Sequence, residues 1–136
     1  MRWYNKAMVQ LLTLSACQTA LGDRESELGF AGLAIGAGVK SALASFWKVD
    51  DLATLALMSK FYEELRSIDI TVKAEALQAA QLAMLRGEVT VKDGKFQGLQ
   101  EEITLPQELL KILGTREKDL SHPFYWSSFT MIGSPW

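Results

Sequence analysis

The chain has 136 residues, of which 49% are hydrophobic and 22% charged, and a formal net charge of −2. That length suffices for one compact domain with its own core, and the small net charge leaves no electrostatic footprint for nucleic acid or an anionic membrane. The single cysteine excludes an internal disulfide and suits a reducing, cytoplasmic setting. No apolar run approaches the roughly 18 residues of a membrane span, and Arg2 and Lys6 are not followed by the apolar core and cleavage site of a secretory signal.

Residues 1–8 are mixed polar and aromatic and precede or cover the first strand. Leu11 to Ser15 is a short apolar run of the kind that forms a buried parallel strand. A glycine-broken charged loop follows at residues 21–27. Gly29 to Gly38 is small and apolar, which predicts a short helix packed on the sheet, its glycines allowing close approach to a strand and Gly38 ending it. A phosphate loop is the other use of such glycines, but no Gly-Lys-Ser/Thr ending is present. Ser41 to Trp47 predicts a second buried strand, joined to the first by a βαβ crossover.

Asp50-Asp51 opens a long helix over about Leu52 to Arg66, with Leu52, Leu55, Ser59, Tyr62 and Leu65 at helical spacing. A second helix runs from Lys73 to Arg86, with Leu77, Ala80, Met84 and Leu85 expected inward. Residues 87–121 change character and read as an insertion. Val89 to Phe96 predicts a hairpin turning on Asp93-Gly94, and Pro106 begins a short helix to about Leu113. Phe129 to Ile132 is the last strand, closed by Gly133-Ser134-Pro135.

Cys17 is the first residue with chemical promise. It follows the first apolar run, and the carboxyl ends of strands in open α/β sheets are where ligands and chemistry sit. A rigid strand beneath an accessible sulfur suits a nucleophile, although a free cysteine is also among the most buried residue types. His122 is the only histidine; beside Pro123 and an aromatic run it reads as structural. Asp50 and Asp51 precede a helix, where acidic side chains cap it and complement its dipole. Gln18 and Thr19 are placed to shape the turn after Cys17. Trp47, Trp126, Phe129 and Met131 read as core. No Cys/His cluster exists, so neither a metal nor a cofactor is expected.

Leu14-Ser15-Ala16-Cys17-Gln18-Thr19, Trp47-Lys48-Val49-Asp50-Asp51 and His122-Pro123-Phe124-Tyr125-Trp126 resemble, in order, blocks of the CHAT family, caspase-like peptidase domains often found with TPR repeats. The resemblance implies a caspase-like α/β fold, a three-layer sandwich of which this is the C-terminal portion, with a mostly parallel sheet and flanking helices. It implies a cysteine endopeptidase acting on protein or peptide substrates, with Cys17 as nucleophile. Asp50 and Asp51 become candidates for the pocket that holds the residue before the scissile bond, since a similar acidic motif in the related separases serves a basic side chain.

His122 matches the family's late His-Pro-aromatic block, not its catalytic histidine. A histidine about 50 residues before the cysteine, as in the caspase signature, would fall before Met1. The expectation is therefore one truncated domain over residues 1–136, inert alone, with its nucleophile strand offering an open edge to self-association. The missing half or a TPR-containing chain would be its partner. A non-catalytic protein-interaction module is the rival reading, and a thiol redox sensor a third.

Overall fold

The computed structural model describes residues 9–13, 31–47, 49–67, 72–101, 103–113 and 117–134. In chain order the elements are β1 (Leu11–Thr13), α1 (residues 31–36), β2 (Ser41–Ser45), α2 (Asp51–Leu65), α3 (Lys73–Leu85), β3 (Thr90–Lys92), β4 (Lys95–Gln97), α4 (Gln107–Leu113), a 3₁₀ turn at Pro123–Tyr125, and β5 (Phe129–Gly133). The fold is mixed α/β. The chain forms two compact units, Met1–Lys48 with Ser127–Trp136, and Val49–Trp126.

The first unit holds a three-stranded sheet in the order β1-β2-β5. β1 runs parallel to β2, Leu11 beside Ser41 and Thr13 beside Leu43, and α1 lies between them in sequence, as a βαβ crossover requires. β5 is antiparallel to β2, with Ser45 opposite Phe129 and Ser41 opposite Gly133. The sheet is thus mixed, not mostly parallel as expected. The chain re-enters at Phe129 beside the end of β2 it left at Ser45, so the last strand has to run back.

β2 is buried along all five residues, because it has a neighbour on each side and an apolar cluster on one face. Ala31 of α1 meets Ala42 and Ala44 there, with Leu12, Ile35 and Ile132 packed around them. The close approach comes from these alanines. The glycines expected to provide it, Gly32 and Gly36, are exposed, and a Cβ at either would meet nothing within 4 Å. Gly38 does end the helix: it sits at φ 99°, its N–H donates to Ile35 O at 3.0 Å, and Val39 N–H reaches back to Ala34 O at 3.0 Å. This pair of bonds is the Schellman stop, which requires a left-handed residue. β2 stops at Ser45, two residues before the predicted end. Phe46 N–H donates to Ser128 O at 2.9 Å, and the chain then bends at Phe46-Trp47.

In the second unit α2 packs against α3. The buried face of α2 is Leu52, Ala53, Ala56, Leu57, Met58 and Phe61, and that of α3 is Ala76, Leu77, Ala80, Ala83 and Met84. Leu55, Tyr62 and Leu85, expected inward, are exposed. Counting large residues misplaced the stripe because alanines line both helices and let them approach closely. β3 and β4 form the predicted hairpin, Lys92 opposite Lys95, and Asp93 and Gly94 both take positive φ, 52° and 72°. Those angles belong to the two-residue turn that matches strand twist. Single bridges extend the hairpin at both edges, Val91 to Lys118 and Lys95 to Thr104.

Candidate functional site

Cys17, Gln18 and Thr19 lie outside the described residues. β1 ends at Thr13, four positions before Cys17 in sequence.

Asp50 and Asp51 sit together at the start of α2 but in different surroundings. Asp50 is the N-cap. Its backbone C=O accepts the first helical bond from Thr54 N–H at 2.9 Å. Its Oδ1 accepts from Leu52 N–H at 2.7 Å and Ala53 N–H at 3.3 Å, satisfying donors that have no partner inside the helix. Its other oxygen, Oδ2, accepts from Lys118 Nζ at 2.6 Å. Asp51 occupies the first turn, where its charge complements the helix dipole, and is exposed.

The Asp50–Lys118 pair is a quarter and a fifth exposed, respectively, at 25% and 21%. Burial alone would raise the Asp50 pKa. The hydrogen bond from Lys118, the two backbone N–H groups and the Lys118 charge outweigh it and hold the carboxyl below its ordinary value. For Lys118, burial works downward, but the hydrogen bond and charge of Asp50, with Tyr125 adding to them, hold the ammonium above its ordinary value. The Lys118 Nζ also stands 5.0 Å from the Tyr125 ring centroid, within cation–π range. Its backbone is fixed independently: Lys118 N–H donates to Val91 O at 2.9 Å and Val91 N–H to Lys118 O at 3.0 Å.

His122 is exposed and caps the 3₁₀ turn, its Nδ1 accepting from Phe124 N–H at 3.1 Å. Its ring meets Tyr125 edge-on, with centroids 6.4 Å apart. Nδ1 is thus engaged by the backbone of its own turn. Trp126 is tied into the same segment, its Nε1–H donating to Ser121 O at 3.0 Å while its own carbonyl accepts from Gln81 Nε2 at 2.9 Å.

Lys118 and Tyr125 were missed in the sequence. Tyr125 lay within the aromatic block, but Lys118 is 68 positions from its partner and carries no local pattern. Among the described residues no group of three His, Cys, Asp or Glu side chains is placed to hold a metal ion, and no helix is long and apolar enough to cross a membrane.

The CHAT domain profile matches residues 1–134. The chain belongs to the CHAT domain family. No curated protein and no solved structure matches it. Within this CHAT chain, Asp50 of the second resemblance block caps a helix, and His122 of the third caps a turn.

Proposed function

We propose that this CHAT domain is the nucleophile-bearing part of a caspase-like cysteine endopeptidase, with the three-layer sandwich of that class. What carries the reading is the family match across residues 1–134, which includes Cys17 within Ser15-Ala16-Cys17-Gln18. In this reading the Cys17 thiolate attacks the scissile carbonyl to form a thioester, the leaving amine takes a proton from an imidazolium, and water then hydrolyses the thioester. A free thiol, with pKa about 8.5, is only slightly ionised at neutral pH. A base must raise that fraction, and the sequence contains no histidine but His122, whose Nδ1 is engaged as a cap. The base would come from another segment or chain, so that residues 1–136 alone are inert. A TPR-containing chain is the partner the family suggests, and the reducing cytoplasm is the compartment a lone cysteine fits. Residues 87–121 would be an insertion on this domain.

Asp50 is the better candidate than Asp51 for receiving a basic substrate side chain. Its carboxylate is held by two backbone bonds through Oδ1 and turns Oδ2 toward a cation. A preorganised acceptor of this kind binds without the cost of ordering itself.

The engagement of His122 also supports the second reading, a protein-interaction module that retains the surface without the chemistry. A peptide-based electrophile separates the two. The peptidase reading expects it to label Cys17 far faster than iodoacetamide does, in the presence of the histidine-bearing partner. Equal rates, with no Cys17-dependent cleavage when the partner is added, would leave the interaction module.

A further inference from the structure

Asp50 Oδ2 already holds a cation, and that cation belongs to the same chain. We propose that Lys118 is an internal competitor for the site at Asp50, an autoinhibitory contact that a basic substrate side chain has to displace. The inference rests on the reading of Asp50 as the receptor of a basic side chain.

Three observations support the exchange. The Lys118 ammonium makes the contacts a substrate lysine would make, a charge-assisted bond of 2.6 Å to Oδ2 and a position 5.0 Å from the face of Tyr125. Its removal leaves both partners standing. Asp50 stays fixed through Oδ1 by Leu52 and Ala53, and the Lys118 backbone stays bridged to Val91 by two hydrogen bonds. Finally, the side chain has somewhere to go. An open depression of about 320 Å³ lies along Thr90–Lys92 and Glu117–Asp119, beside the Lys118 side chain. An occupied site lowers apparent affinity by the fraction of time it is free. A partly exposed ion pair sets that effect at about two- to fivefold.

Calorimetric titration of the whole chain at low salt provides the test. The probes are acetyl-Ala-Ala-Arg-amide and its uncharged isostere with citrulline in place of arginine. Lys118→Met should bind the arginyl peptide about two- to fivefold more tightly than the wild type, with no change for the citrulline peptide. Adding Asp50→Asn, which keeps a capping side chain, should erase the gain. Lys111→Met removes an equal charge from the exposed surface of α4, away from that depression, and should leave binding unchanged. Lys118→Gln replaces the methionine variant if circular dichroism shows that one to be unfolded. If the wild type binds arginyl peptide through Asp50 and neither Lys118 variant improves on it, the competitor is refuted while the Asp50 reading stands. If no variant binds in an Asp50-dependent way, both are refuted. An equal gain from Lys111→Met would reduce the effect to net charge and refute the competitor.

Discussion

Replacing Asp50 with alanine removes a cap and an ion pair at once, and replacing it with asparagine removes mainly the ion pair. Alanine leaves the N–H groups of Leu52 and Ala53 without their acceptor, a loss of about 0.5–2 kcal/mol for an N-cap. It also strands Lys118, whose pairing at this partial exposure contributes about 0.2–1 kcal/mol. The expected total is about 1–3 kcal/mol for Asp50→Ala. Asparagine caps about as well as aspartate, so Asp50→Asn should cost only the ion-pair share, with the two variants differing by about 1 kcal/mol. Urea unfolding at pH 7 followed by circular dichroism reads both. The sign of the pH dependence is fixed by the direction of the shifts. The Asp50 pKa is lower in the folded chain, so its contribution is present above the unfolded value, about 3.9, and disappears as pH falls through the folded one. The Lys118 pKa is higher in the folded chain, so its contribution is full below about 10.4 and is lost as pH rises through the folded value. The wild type's advantage over Asp50→Asn should therefore form a plateau between these limits and close at both ends. Equal costs for alanine and asparagine would refute the capping role. An advantage that persists unchanged at pH 2 would refute the ionic one.

The remaining predictions concern the first unit and share the same unfolding assay. Gly32→Ala and Gly36→Ala should each stabilise the chain by about 0.4–1 kcal/mol, because the helix gains a better former and a Cβ meets nothing within 4 Å; a loss at either site would mean that the helix is packed over its glycines after all. Ser128→Ala should raise stability by about 1 kcal/mol, since its hydroxyl is buried with no hydrogen-bond partner among the described residues. Leu43→Ala, at the centre of the strand flanked on both sides and fully buried, should cost about 2–5 kcal/mol, and a cost under 1 kcal/mol would show that β2 is not the core strand.

Where local chemistry decides, the sequence was legible. Asp93-Gly94 announced its turn because few residues take two successive positive φ values cheaply. Gly38 announced the end of α1 for the same reason, and Pro106 the start of α4. The errors came where a residue's fate depends on what it packs against. Leu55 and Tyr62 have the size of core residues, yet the inward face of α2 follows Ala53, Ala56, Leu57 and Phe61, because α3 presents Ala76, Ala80 and Ala83 to it. The direction of β5 was hidden too, since Phe129 to Gly133 reads the same in a parallel or an antiparallel pairing. The family blocks identified the CHAT domain correctly, over nearly the whole length of the chain.

The two sequence readings of Asp50, helix cap and binding residue, looked like rivals because each uses the same carboxylate. The geometry separates them by atom. Oδ1 takes both backbone N–H groups and Oδ2 takes the ammonium, so occupying one role does not consume the other. The cap would favour the proposed binding role. A carboxylate on a free rotor loses side-chain entropy when it meets a cation, whereas one already locked by its helix has lost that freedom in folding. The helix N-terminus favours the ionised form in the same place, which helps keep the carboxylate charged to lower pH than an ordinary one. An acidic residue at this junction can thus be retained for stability and used for recognition together. Asp50→Asn is the substitution that tells the uses apart, because it keeps the cap and removes the charge.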